Sequence, residues 1–176
     1  MRSYNQEQSF NPFFPLRKLT SFSLSEEDQL RCSSHSLERD TNNKQHKVKD
    51  KPHFTNPPSY ETTLNGVGGE MAFARLLNAE PDFSIGIRSK YNKTDTSDII
   101  FKDLNIEIKT SWLPHGRLLI DEWVPATTDV YYVLMIGTFP HYVYKGFCIS
   151  DFLFSKPLEY VGKRKVRIVS QKELLG

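Results

Sequence analysis

Apolar and polar positions change period several times along the chain, and each change marks an element. In "TTLNGVGGEMAFARLLNAE" the apolar Met71, Ala72, Phe73, Ala74, Leu76 and Leu77 recur close to helical spacing, and Pro81 ends the helix they predict. "DFSIGIRSKY" then alternates Phe83, Ile85 and Ile87 with Ser84, Gly86 and Arg88, the pattern of a strand. After the polar turn "YNKTDTS", the stretches "DIIF" and "NIEIKT" predict two strands joined by a turn at Lys102-Asp103. "WLPHGRLLIDEWVPATTD" is broken by Pro114, Gly116 and Pro125 and has room for at most one short helix. "VYYVLMIGTF" is an unbroken run of β-formers, which predicts a central strand buried on both faces, and "HYVYKGFCI" predicts another. "SDFLF" reads as a short helix with Ser150 as its N-cap, and "KRKVRIVS" as an edge strand. Helix, strands, short helix and further strands make an α/β or α+β domain of about 115 residues, assigned to 59–176.

The N-terminal part is different in kind. "SLERDTNNKQHKVKDKPHFTNPPS" is polar, lacks apolar periodicity and runs into Pro57-Pro58. Such a segment buries too little apolar surface to offset the entropy of ordering, so residues 1–58 are expected to form a disordered or weakly ordered tail. "FNPFFPLRKLTSFSL" within it is richer in aromatic residues and offers a docking segment for a protein partner or for the domain itself. The formal net charge of +2 lies in this tail, because residues 56–176 hold 14 basic and 14 acidic side chains. Overall charge therefore does not announce a nucleic-acid partner. The two cysteines, Cys32 and Cys148, form neither a disulfide framework nor a zinc spacing and read as reduced thiols. No run approaches the ~18 apolar residues of a membrane span, and "MRSYNQEQSF" lacks the apolar core of a secretory signal. The expectation is a soluble intracellular protein of cytoplasm or nucleus, with an organellar address left open by the single acidic residue before Glu26.

Candidate chemistry gathers in "SDIIFKDLNIEIKTS". Side chains alternate along a strand, so Glu107 and Lys109 share one face and Ile106 and Ile108 the other. If "KDLN" turns an antiparallel hairpin, Asp98 lies across from Glu107 and Lys109. Two carboxylates so placed repel unless a cation sits between them. Hard oxygen ligands suit Mg²⁺ or Mn²⁺, which activates water and neutralises charge on a scissile phosphate, while Lys109 holds the attacking water. The competing reading is an ion pair on a solvated hairpin face. Against it stand the isoleucines on either side, which suggest burial. Glu70 adds weight, since it falls on the helix stripe of Phe73 and Leu77 and so points toward the sheet; the alternative is an acid placed near a helix N-terminus. Gly66, Gly68 and Gly69 let that helix approach other backbone closely. "GVGG" is not a phosphate loop, because no Gly-Lys-Ser/Thr follows it.

With "GVGGE", "DFSIGIRSKYNKTDTSDIIF" and "IEIKTS", residues Asn65 to Thr138 resemble the PD-(D/E)XK nuclease superfamily, in the style of its Holliday-junction-resolvase-like and restriction-endonuclease-like members. The resemblance implies a restriction-endonuclease-like core with a central mixed β-sheet flanked by helices. It implies that Asp98 is the metal-binding aspartate, Glu107 and Lys109 the E-x-K pair, Glu70 the helix glutamate and the Ile108 carbonyl a further metal ligand. Ser97 stands where the name-giving motif has proline, and "TSW" follows Lys109 where RecB-like members have glutamine.

Basic side chains suited to phosphates are Lys93, Arg117, Lys163, Arg164 and Lys165, with Arg88 and Lys90 near the same groove; lysines that blunt a sheet edge explain Lys163 and Lys165 as well. Tyr91, Trp112 and Trp123 are candidate stacking residues, His115 a candidate substrate contact and Asp95 a reserve carboxylate. The function expected is a Mg²⁺-dependent deoxyribonuclease, an endonuclease acting on duplex or branched DNA and working as a homodimer. The alternatives are a catalytically inactive nuclease-fold module that binds protein or nucleic acid, and an RNA-cleaving nuclease.

Overall fold

A computed structural model describes residues 11–45, 59–83 and 97–176. Its elements are β1 (Ser21–Ser23), α1 (Glu26–Gln45), α2 (Ser59–Leu76), β2 (Ile99–Phe101), β3 (Leu104–Ser111) and β4 (Leu118–Asp121). They continue with β5 (Val130–Thr138), β6 (His141–Ile149), α3 (Ser150–Ser155), β7 (Leu158–Val161) and β8 (Arg164–Val169). The fold is mixed α+β. A five-stranded sheet runs β1-β6-β5-β3-β2, and a three-stranded sheet runs β4-β8-β7. Within the larger sheet β3 and β5 are parallel and every other pair is antiparallel.

β5 is the wall between two cores, as its unbroken apolar run requires. Val133 and Met135 face Val67, Met71 and Phe73 of α2. Tyr132, Leu134 and Ile136 face the other way, toward Leu118 and Ile120 of β4, Leu153 of α3 and Val169 of β8. α2 is buried nearly all round because the sheet lies on one side of it and α1 on the other. Two of its glycines set the approach: a Cβ on Gly69 would stand 2.0 Å from Thr110 Oγ1, and one on Gly68 would stand 2.1 Å from Tyr142 Oη. A single bulge in β6 opposite Leu134/Met135 carries Gly146 at φ 120°, a conformation open to glycine.

Several expectations are corrected. Residues 11–45 are not a disordered tail: Phe13 is 2% exposed among Phe73, Tyr131 and Phe147, β1 pairs with β6, and α1 lies along α2. The buried stripe of α1 consists of Asp28, Cys32, His35, Ser36 and Asp40, residues at helical spacing that a hydrophobic pattern cannot reveal. Pairing across the two helices makes the burial of Asp28, and of Glu70 on α2, tolerable. Arg75 of α2 donates to both Asp28 oxygens, at 2.8–3.1 Å, and Arg39 reaches Glu70 at 3.5 Å. "LLID" forms strand β4 rather than a helix, and β8 is the central strand of its sheet rather than an edge. Its cationic side chains are compatible with that position because Arg164 bonds to Asp121 across the strand pair. Ser150 is not the N-cap of α3; Ile149 is, and the Ser150 hydroxyl accepts the Val130 N–H. The strand expected in "DFSIGIRSKY" lies outside the described residues beyond Phe83, as do Lys93, Arg88, Lys90, Tyr91 and Asp95. Among the described residues no helix is long and apolar enough to cross a membrane.

Candidate functional site

The β2–β3 hairpin closes on two residues in the left-handed region, Lys102 (φ 49°) and Asp103 (φ 64°). That pair of conformations matches the right-handed twist of the flanking strands. The resulting register pairs Ile99 with Ile106, Ile100 with Asn105 and Phe101 with Leu104. Asp98 lies one residue before the first of these pairs, in the bend that leads into β2.

Asp98 Oδ2 accepts the Ile108 N–H at 2.7 Å, so the carboxylate crosses to the peptide between the two residues of the E-x-K pair. The N–H and C=O of an extended residue leave the same edge of its strand, which puts the Ile108 carbonyl on the Asp98 side. Lys109 Nζ donates to Glu107 Oε2 at 3.2 Å, with 39% and 25% of the two side chains exposed. Ile106 and Ile108 are buried on the opposite face, against α2. The face of Glu107 and Lys109 is therefore neither core nor open surface.

Its surroundings follow from the parallel pairing with β5, which sets Glu107 beside Tyr132 and Lys109 beside Leu134. Tyr132 is 3% exposed, meets Phe154 edge-on and shares a 3.4 Å hydrogen bond with Thr127. Burial holds its hydroxyl above the ordinary phenol range, and the charges of Glu107 and Lys109 act on it in opposite directions. On the hairpin side the face opens to solvent, where Ile100 is 64% exposed. One flank is thus apolar and dry, the other wet. Tyr132 went unnoticed in the sequence because only the β3–β5 register brings it beside Glu107.

Glu70 is buried, but it turns to α1 and not to the sheet as its helical stripe predicts, and it sits more than two turns beyond Ser59, so an N-terminal dipole does not explain it. Arg39 of α1 lies 3.5 Å from its carboxylate. Among the described residues no three His, Cys, Asp or Glu side chains cluster closely enough to hold one ion. The structure thus brings Asp98, Glu107 and Lys109 together, and does not gather Glu70 with them among those residues. The donor set of the hairpin still suits a hard cation. Two carboxylates and a carbonyl, completed by water and phosphate oxygens, are the ordinary environment of Mg²⁺.

Of the candidate phosphate ligands, Arg117 and Lys163 are exposed. Arg164 is committed to the buried Asp121 through Nε at 3.0 Å and Nη2 at 2.8 Å, which removes it from that role. Lys165 lies 3.7 Å from Glu122, a loose surface pair. His115 and Trp123 are exposed and Trp112 is half-buried, while His141 bonds Ser23 and ties β6 to β1. No protein-family model, curated protein or solved structure matches the chain.

Proposed function

We propose that the protein is a metal-dependent nuclease hydrolysing DNA phosphodiester bonds as an endonuclease, on a core of the PD-(D/E)XK, restriction-endonuclease-like type. One observation carries the reading. A half-buried hairpin face holds the Asp98 carboxylate against the Ile108 N–H at 2.7 Å, with the Lys109 ammonium at 3.2 Å from Glu107. The element order of α2, the β2–β3 hairpin and the parallel β5 is compatible with such a core. Asp98, Glu107 and the Ile108 carbonyl would hold Mg²⁺ or Mn²⁺. When bound, the ion supplies a nucleophile at neutral pH and neutralises charge on the phosphate. Lys109 orients the attacking water and faces the developing negative charge, while the Asp98–Ile108 bond keeps the two strands in register at the point of attack. Tyr132 and Leu134 keep water from the flank beside β5.

Supercoiled plasmid incubated with the protein and Mg²⁺ is expected to be nicked or linearised. Lys109→Ala is expected to lose that activity at least ~100-fold, and chelation to abolish it. Absence of cutting on supercoiled, linear, branched and RNA substrates would leave the Glu107–Lys109 pair as a structural ion pair in a non-catalytic module. Cutting of RNA alone would transfer the same chemistry to the other nucleic acid.

A further inference from the structure

The inner face of the three-stranded sheet changes character along its length. Its first cross-strand row, Leu118 opposite Val169, is buried in the core shared with Tyr132 and Leu153. The second row is Ile120, Arg167 and Leu158. In the third, Lys165 stands opposite Tyr160, which is 74% exposed. Residues two apart on a strand share a face, so one continuous surface passes from core, to a guanidinium, to an ammonium beside an open aromatic ring.

Arg167 is the anomaly in this series. Its Nε and Nη1 are buried and donate to nothing among the described residues, and its guanidinium lies over the Phe154 ring at 5.1 Å from the centroid. A ring face attracts the charge but does not satisfy N–H groups that point along the guanidinium plane. Buried charged donors without acceptors are rare in folded proteins because they are costly. A partner from outside resolves the cost, and a tetrahedral oxyanion is the match, since its oxygens accept several guanidinium bonds at once. The location adds a second reason. Phe154 meets Tyr132 edge-on at 6.3 Å between centroids, and Tyr132 is the sheet neighbour of Glu107.

We propose that Arg167 is a phosphate-binding residue, holding a phosphodiester of the strand on which Glu107 and Lys109 act, at a phosphate away from the scissile one. The source of that phosphate rests on the nuclease reading; the oxyanion site itself does not. The first test is thermal melting of the full chain in inorganic phosphate against chloride at equal ionic strength. Phosphate at ten times its Kd is expected to raise the wild-type Tm by about 4 °C. R167M should lose this response while melting no lower than wild type in chloride, because an apolar chain of similar length replaces a half-buried guanidinium with two N–H-bearing atoms that lack acceptors. R167K, a point charge on a flexible stem, should keep less than half of the response. The second test is anisotropy of a labelled single-stranded oligonucleotide in EDTA. R167M is expected to bind about ten-fold more weakly, with the slope of log K on log salt smaller by about 0.7. A wild type unmoved by phosphate, or an R167M moved as far, overturns the proposal. If phosphate acts through Arg167 but nothing is cut, the nuclease reading falls and the oxyanion site stands. If DNA is cut without any phosphate response, the reverse holds.

Discussion

Asp98→Asn keeps a side-chain oxygen where the carboxylate now accepts the Ile108 N–H, but removes the charge; Asp98→Ala removes both. The bond is 2.7 Å long, at the short end for N–H···O and within the range of charge-assisted bonds. Bonds of that class contribute about 1.5–3 kcal/mol when buried. Asp98 is only half-buried, so water replaces part of the loss and the alanine variant should be destabilised by about 1 kcal/mol. For a chain of this length that is a fall in Tm of about 2–4 °C. Asparagine should retain most of the bond and lose under about 0.5 kcal/mol. Cleavage is expected to separate from stability. A neutral amide is a poor ligand for a hard divalent cation, so both variants should nick supercoiled plasmid at least ~100-fold more slowly. Urea midpoints and initial nicking rates in Mg²⁺, measured on the same preparations, give the two axes. An asparagine variant that nicks at the wild-type rate refutes the metal role of Asp98. An alanine variant with an unchanged midpoint refutes the claim that this bond ties the two strands.

The remaining predictions concern the scaffold. Gly69→Ala places a Cβ 2.0 Å from Thr110 Oγ1 and should cost about 1–3 kcal/mol, whereas Gly66→Ala meets nothing within 4 Å and should gain about 0.5–1 kcal/mol; paired urea titrations decide both. Phe13→Ala should cost about 3–5 kcal/mol in the same assay, because Phe13 packs edge-on against Phe73 and Phe147 in the core. The His35 imidazole is held down to about 4, first by burial and then by the charge of Arg39. Its unfolded value is near 6.5, so protons favour the unfolded chain. Stability should therefore fall as pH drops from about 6.5 toward 4, by on the order of 3 kcal/mol. His35→Phe should flatten that part of the curve. Asp28, held below the ordinary carboxylate range by its hydrogen bonds to Arg75, adds a further loss at lower pH, as its own proton returns.

What the sequence disclosed is what apolar periodicity encodes. The hairpin was legible because "DIIF" and "NIEIKT" flank a turn that two left-handed residues close, and β5 because no polar residue interrupts it. Glu107 and Lys109 fell together by strand parity, and Asp98 joined them through the turn read at Lys102-Asp103. α1 was illegible for the opposite reason. Leu30 and Leu37 are exposed while Asp28, His35, Ser36 and Asp40 are buried, so hydropathy points the helix the wrong way round. β8 misled through its charges: Lys165 read as an edge guard and Arg164 as a phosphate ligand, yet they face acids, Asp121 at the end of β4 and Glu122 just after it. Glu70 is buried, but against α1 and not toward the sheet, because no local pattern announces Arg39, which lies 31 residues away, as a partner. Pairings between distant charged residues leave no periodic trace.

The charged seam between α1 and α2 has a consequence for how those helices find each other. An oily contact tolerates a neighbour displaced along the axis, since one methyl group serves nearly as well as the next. Here a slip of one turn, about 5.4 Å, would carry Asp28 away from Arg75 and Arg39 away from Glu70, leaving charges stranded in a dry interface at about 3–5 kcal/mol for each broken pair. The seam adds little net cohesion, yet it admits a single alignment. The first helix works as a key, cut to seat in one position on the second or to come off entirely.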